Sequence, residues 1–420
     1  MYISHLSLTN FRNYVRLELD FKTGPVLLYG HNAQGKTNLL EAIYYLATTR
    51  SPHADTDQQL LNWNANESDE PIVVGRLVAQ VVTSDGIKLL ELRLIKEQKL
   101  RNGPTFRREA LVNRRQVRLM DLIGHLRATL FLPEDIQLIT GAPANRRRYV
   151  DITLCQVDPT YCRNLSSYNK VLEQRNALLR QINESGNGRD VLPIFTDKLI
   201  TLGSYIFAQR AALFAHLGHT AQRIHYEDLT NRQETIRLNY LPRLQETQAG
   251  RNREESEAVT EMMALADWLY EQPAGNHKAI VARFREAIDG CVDQDIARSS
   301  TTLGPHRDDW FFQVNGRPLS SYGSRGQQRS AMLALKLAEI AWMKAETGET
   351  PILLLDEVVA ELDERRRALL LQVTQNASQA ILTTTDPGMF PLSFLQGAQT
   401  LRVDKGRIAS DIPFAAATGP

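Results

Sequence analysis

Apolar residues along this chain recur with two different periods, and the changes between them mark out its elements. Tyr2-Ile3-Ser4-His5-Leu6-Ser7-Leu8 partly alternates, as a half-buried strand does, and Pro25-Val26-Leu27-Leu28-Tyr29 is a short apolar run ending at Gly30, as a buried strand is. Soon afterwards Leu39, Leu40, Ile43, Leu46 and Ala47 fall at i, i+1, i+4, i+7 and i+8, so a helix with one apolar face is expected. Strand, glycine loop and helix in that order form the first half of a βαβ unit. Strands are also predicted over 72–82 and 89–95, joined through Ser84-Asp85-Gly86, so the first 130 or so residues read as mixed α/β.

From about 159 to 296 the apolar residues recur every three or four positions, for example Leu165, Tyr168, Leu172, Leu179 and Ile182, which predicts a helical lobe. Its breaks fall at Asn183-Glu184-Ser185-Gly186-Asn187-Gly188 and over the polar stretch 245–256. A helix of ~25 residues reaches only ~38 Å, so no long coiled coil fits. Strand signals return at 310–314, before an Asn315-Gly316 turn, and again at 351–355 and 380–383. The expected organisation is one α/β domain built from 1–150 and 300–420, with 151–299 inserted as a helical lobe.

Composition narrows the class without naming it. With 43% hydrophobic and 23% charged residues in 420, the chain is globular, and collagen-like or disordered classes are excluded. Lys+Arg 49 against Asp+Glu 48 leaves a net charge of +1, so a polyanion must be met by a local basic patch. The three cysteines, Cys155, Cys162 and Cys291, show no metal or disulfide spacing and fit small buried hydrophobes in a reducing cytoplasm. Residues 1–14 lack a secretory pattern, and uncharged stretches such as 368–385 are too polar for hydrocarbon, so no membrane role is expected.

Gly30-His31-Asn32-Ala33-Gln34-Gly35-Lys36-Thr37 satisfies every fixed position of G-x-x-x-x-G-K-[ST] and lies between a predicted strand and helix. In such a loop the glycines let backbone N–H groups point at phosphate, the lysine reaches the outer phosphates and the threonine ligates magnesium. A plain glycine turn is the bland alternative, and the flanking elements count against it. The apolar run 351–355 ends in Asp356-Glu357, which places Asp356 to hold magnesium and Glu357 to polarise a water. Otherwise these acids close an ordinary strand-end turn.

Ser324-Arg325-Gly326-Gln327 opens a predicted helix some thirty residues before that acid pair, and Leu362-Asp363 follows it. These residues resemble the signature motif and D-loop of ABC-type ATPases, in which the signature of one subunit binds nucleotide on the P-loop of another. Leu8-Thr9-Asn10-Phe11-Arg12-Asn13-Tyr14 is similar to the opening of the SMC branch. Phe131-Leu132-Pro133-Glu134-Asp135, Gly141-Ala142-Pro143, Arg146-Arg147-Arg148 and Leu303-Gly304-Pro305-His306-Arg307-Asp308-Asp309 extend the resemblance to the RecF family of recombination mediators. It implies an SMC-like head, a slow ATP hydrolase acting as a dimerisation switch with magnesium, and Arg12 and Asn13 beside the base and ribose. It further implies binding to single-stranded and gapped duplex DNA near the nucleoid, with RecR, RecO and RecA as partners. Arg325 in place of the signature's middle glycine and Thr385 in place of a switch histidine depart from the general ABC pattern.

For a DNA surface, Lys99, Arg101, Arg107, Arg108, Arg114, Arg115 and Arg118 are opposed only by Glu109, and Arg146 and Arg147 extend the set. Phosphate contact and a solvated basic hairpin both fit this pattern. His306 either touches DNA or pins the Gly304-Pro305 turn, and His216, His219 and His225 read as surface or capping residues. A transporter ATPase subunit and a small-molecule P-loop kinase are the competing classes. The first lacks its histidine and has no use for the Asn10-Phe11-Arg12 opening, and the second has no use for Ser324-x-Gly326-Gln327.

Overall fold

The computed structural model describes residues 1–68, 70–99, 103–245, 255–272, 275 and 277–410. Two compact units emerge, one made of Met1–Asp135 with Glu339–Pro420 and the other of Ile136–Ala338.

The first unit holds two sheets that share one core. One is antiparallel, in the order Tyr14–Asp20, Tyr2–Phe11, Ile72–Thr83, Gly86–Lys99, Gly103–Val112 and Arg115–Val117. Thr83 pairs with Gly86, so Ser84-Asp85 forms the two-residue turn that the sequence places there. The other sheet runs Arg407–Ser410, Gln399–Asp404, Gly24–Tyr29, Gln379–Thr384, Ile352–Asp356 and Ala128–Phe131. All its pairings are parallel except the edge pair with Arg407–Ser410. Parallel strands covered on both faces need unbroken apolar runs, and Ile352, Leu353, Leu354, Leu355, Ala380, Ile381 and Leu382 are fully buried. Strands from both ends of the chain lie in this one sheet.

Register brings the chemistry to one edge of this sheet. Asp356 pairs with Thr383, and Thr384 pairs with Tyr29, the residue before Gly30. The carboxyl ends of three strands thus lie level, where open α/β sheets bind ligands. Helix Lys36–Thr48 starts there and buries Leu39, Leu40, Ile43, Leu46 and Ala47 in a core shared with Leu8, Leu77 and Leu92 of the antiparallel sheet and Leu354 and Ile381 of the other.

The second unit is built on helices Pro143–Val157, Pro159–Ser185 and Leu192–Arg223, the last 32 residues long and spanning about 48 Å. It also contains a three-stranded antiparallel sheet, Arg317–Pro318, Asp309–Val314 and Ile236–Leu241. Ile236–Leu241 lies inside the stretch read as helical, and its partner is recruited from 309–314, so residues after 300 pack with the lobe expected to end at 299. Cys155 and Cys291 are buried and Cys162 is half-buried, and none of the three is in a disulfide. Among the described residues no helix is long and apolar enough to cross a membrane.

Candidate functional site: a P-loop facing a carboxylate pair

Loop geometry depends on its glycines. Gly35 has φ 115°, and a Cβ there would lie 2.5 Å from the Asn13 side chain, while one at Gly30 would lie 2.3 Å from the Val403 carbonyl. His31, Asn32 and Ala33 are exposed at the crest, and Gln34 is half-buried. Lys36, only 3% exposed, donates from Nζ to the carbonyls of Gly30 at 2.9 Å and His31 at 3.0 Å. Its ammonium also pairs with Glu357 Oε1 at 3.2 Å.

Beside it, the Thr37 hydroxyl donates to Asp356 Oδ2 at 2.8 Å, and the Thr383 hydroxyl donates to Oδ1 at 2.7 Å. The Glu357 N–H donates to the same Thr383 hydroxyl at 2.9 Å, which holds Glu357 in a left-handed conformation of φ 53°. A non-glycine residue kept at positive φ where chemistry converges is where proteins store strain. A hydroxyl and a carboxylate within 2.8 Å of each other are a hard-oxygen donor set that fits magnesium.

The loop is braced by residues of the Arg12-Asn13-Tyr14 opening and by others that no motif marks. Asn13 Nδ2 donates to the Gln34 carbonyl at 2.9 Å, and Asn38 Nδ2 donates to Asn13 Oδ1 at 2.8 Å. The Tyr14 hydroxyl donates to the Gly35 carbonyl at 2.9 Å, and the backbone N–H of Gly406 to the Gln34 carbonyl at 3.0 Å. Arg12 is clamped by the buried Glu41 through Nε at 2.7 Å and a terminal nitrogen at 2.8 Å. Asn13 therefore braces the loop, and Glu41 and Thr383 join the site as residues that pattern reading passes over.

In the second unit, Ser324 and Gln327 form a capping box on helix Arg325–Thr347. The Gln327 N–H donates to Ser324 Oγ at 3.2 Å, and the Ser324 N–H donates to Gln327 Oε1 at 2.8 Å. Gln327 Nε2 then donates to Glu234 Oε1 at 2.7 Å. A Cβ on Gly326 would meet only Ser324 Oγ, at 3.8 Å, so packing within the described chain does not require a glycine there. Asp363 caps helix Glu364–Asn376 by accepting from the Arg366 N–H at 2.9 Å.

The basic residues separate into two kinds. Arg114 and Arg115 are exposed at a turn where Asn113 and Arg114 have positive φ. Arg107 pairs with Glu97 and Glu109, and Arg108 with Asp57 at 3.0 Å. Arg146 is 9% exposed and bidentate to Asp309 at 2.6 and 2.9 Å, and Arg147 donates to the Asp308 carbonyl at 2.8 Å. These two are spent on internal partners, because their helix packs on the 305–309 turn, and so they are not presented as a phosphate-binding extension of the patch. Arg101 lies outside the described residues.

That turn is the centre of a buried polar hub. Arg210, 2% exposed, donates to Asp308 at 2.8 Å, Asp151 at 2.7 Å, the Tyr161 hydroxyl at 3.0 Å and the Pro305 carbonyl at 2.6 Å. Burial opposes its charge, yet Asp151, Tyr161 and Asp308 hold the guanidinium above its ordinary range. His306 is half-buried, its Nδ1 2.7 Å from the Tyr168 hydroxyl and its Nε2 3.1 Å from the Thr301 carbonyl. Burial pushes its pKa down to about 4, so it pins the turn as a neutral ring. His225 is fully buried with Nδ1 3.3 Å from the Glu234 carbonyl, inside a π-helical turn, while His216 and His219 are exposed. Among the described residues no cluster of His, Cys, Asp and Glu could hold a metal ion by itself.

A strand-loop-helix P-loop facing Asp356 and Glu357, with a capped S-x-G-Q helix, defines an ABC-type ATPase head of the SMC kind. The family model for the RecF/RecN/SMC N terminal domain matches residues 2–405. The DNA replication and repair protein RecF of Roseiflexus castenholzii is 40% identical over 417 residues, covering 97% of this chain and 99% of that protein. The RecF of Chloroflexus aurantiacus is 39% identical over 416 residues, covering 97% and 99%. A solved structure of the recombination mediator protein RecF with ATP, from the RecFOR pathway, superposes with a TM-score of 0.79 at 29% identity, covering 98% of each chain. The chain belongs to the RecF/RecN/SMC family, in its RecF branch.

Proposed function

We propose that the protein is an ATP-dependent DNA-binding switch of replication and recombinational repair. The observation that carries this reading is the Lys36–Glu357 pair at 3.2 Å beside Asp356, which Thr37 and Thr383 hold in place. Lys36 presents its ammonium where the outer phosphates of ATP would lie, and Arg12 and Asn13 lie beside its base and ribose. Thr37 and Asp356 would hold magnesium, which when bound neutralises phosphate charge. Glu357 takes the proton of the attacking water. With its carboxylate already bound to Lys36, the base must first be released, which supports slow hydrolysis used as a timer.

A second copy supplies Ser324, Gly326 and Gln327. A glycine inside the first turn of a helix costs about 0.5–1 kcal/mol, and Gly326 has no packing reason, so close approach of a phosphate accounts for it. The resulting two-fold dimer carries two nucleotides, with Asp363 near their shared boundary. DNA, gapped or single-stranded, meets the exposed Arg114 and Arg115 together with Arg107 and Arg108. The RecFOR pathway named for the relative with ATP supports RecR and RecO as partners, and loading of RecA is the outcome that the family resemblance implies.

Light scattering with and without ATP and magnesium, repeated with a gapped duplex, tests the reading. A monomer that dimerises only with ATP and then retains DNA supports it, and Lys36→Ala abolishes that dimer. A wild-type protein that stays monomeric with ATP and ignores DNA overturns it.

A further inference from the structure

Trp63 has a surface position that its chemistry does not favour. The chain has four tryptophans; Trp310 and Trp342 are buried, and Trp268 is covered by the Arg283 guanidinium at 4.6 Å from its ring. Trp63 is 73% exposed, the highest value among the exposed large hydrophobic residues described. A single exposed apolar residue on a loose loop would need no explanation.

This one sits on a fixed support. Trp63–Asn66 is a single helical turn, and Asn62 caps it by accepting from the Ala65 N–H at 3.5 Å. Asn62 Nδ2 also donates to the Arg12 carbonyl at 2.7 Å, and at the far end the buried Lys96 ammonium donates to the Asn66 carbonyl. Both ends of the turn are therefore bolted to the antiparallel sheet, although its largest side chain faces solvent.

Trp63, Leu61, Arg12, Gln59, Asn66 and Glu67 line one open cavity of about 350 Å³. It combines an aromatic plane, an aliphatic wall and several polar edges, which is the make-up of a small-molecule site. Arg12 lines this cavity, and Asn13, the next residue, touches the phosphate loop at Gln34 and the helix after it at Asn38. Lys36 and Glu357 mark the end of the loop where terminal phosphate would lie, whereas Asn13 contacts the loop at Gln34 and the helix at Asn38. Arg12 has its guanidinium edge already neutralised by Glu41, so the cavity does not call for a second phosphate.

We infer that Trp63 is the stacking platform for the purine base of a nucleotide whose phosphates occupy the P-loop. The inference rests on the nucleotide-binding reading above and adds to it the residue that holds the base. A purine offers a larger π-face than a pyrimidine, and removing an aromatic partner from a stacked base costs about 1–3 kcal/mol.

The test measures binding of ATP, CTP and inorganic tripolyphosphate to the full chain by calorimetry, together with tryptophan emission. Wild-type emission is quenched by ATP and not by tripolyphosphate. Trp63→Ala weakens ATP by about tenfold or more, leaves tripolyphosphate affinity unchanged and removes the preference for ATP over CTP, and Trp63→Phe recovers most of the ATP affinity. ATP that binds with equal affinity to wild type and Trp63→Ala, or emission that ignores ATP, overturns the platform while leaving the P-loop reading intact. Failure of all three compounds to bind wild type overturns the P-loop reading itself. Quenching of Trp63 by single-stranded DNA in the absence of nucleotide also overturns the platform and assigns the indole to DNA.

Discussion

The P-loop site and the buried hub of the second unit both gather charged side chains, but they are built in opposite ways. Around the loop, bracing is redundant: Asn13, Asn38, Tyr14 and the backbone of Gly406 each contribute a bond, and Lys36 is satisfied by backbone carbonyls as well as by Glu357. In the hub one guanidinium makes most of the joins, since Arg210 alone links Asp151, Tyr161, Pro305 and Asp308, while the Tyr240 hydroxyl and the Arg243 N–H add bonds to Asp308 only. A site that must admit a ligand spreads its support over many partial contacts. A hub that only holds elements together concentrates it on one buried charge, and the cost of losing that charge is correspondingly large.

The sharpest break of this contrast is Arg210→Ala, which leaves Asp308 and Asp151 without their cation and lowers stability by about 3–5 kcal/mol. Denaturant unfolding followed by emission of the buried Trp310 reads it, and a loss below about 1 kcal/mol would mean that the hub is as redundant as the loop.

His306 gives the next largest effect. The ordinary value of 6.5 applies to the unfolded chain, and the folded value is about 4, so protons bind the unfolded state first. Its contribution is complete above 6.5 and is lost as pH falls from 6.5 through 4. Wild type should therefore lose about 2 kcal/mol more than His306→Gln between pH 7 and pH 5. Parallel pH profiles would place His306 in contact with water.

In the first unit the effects are smaller. Gly35→Ala forces a Cβ against Asn13 at positive φ and costs about 1–2 kcal/mol, with nucleotide affinity falling further than stability. Asn13→Ala removes one brace of several and costs about 1 kcal/mol in a thermal melt. Smallest in stability is charge reversal at Arg114 and Arg115, which leaves the melting temperature unmoved. That variant lowers the slope of log DNA affinity against log salt by about 2, and an unchanged slope places the DNA surface elsewhere.

What could be read from sequence follows the same division. The loop, its helix and the strand ending in Asp356-Glu357 are local objects, defined by glycine conformation and by apolar runs a few residues long. The strand Ile236–Leu241 was hidden, since Ile-Arg-Leu-Asn-Tyr-Leu becomes a strand only when Asp309–Val314 arrives to pair with it. Arg146 and Arg147 read as a basic run, because sequence shows a charge and not its partner. Asp309 lies 163 residues from Arg146.

The sequence by itself determined that a P-loop, a carboxylate-tipped parallel strand and a capped S-x-G-Q helix exist, because each depends on spacings within one turn or one strand. Only the tertiary structure decided which side chains meet. Thr37 reaches Asp356 across 319 residues, Thr383 orients both acids through strand register, and Trp63 stays in solvent on a bolted turn. Hydrophobic periodicity specifies which face of an element is covered, whereas register and charge pairing depend on what covers it, and that is settled only when distant segments pack.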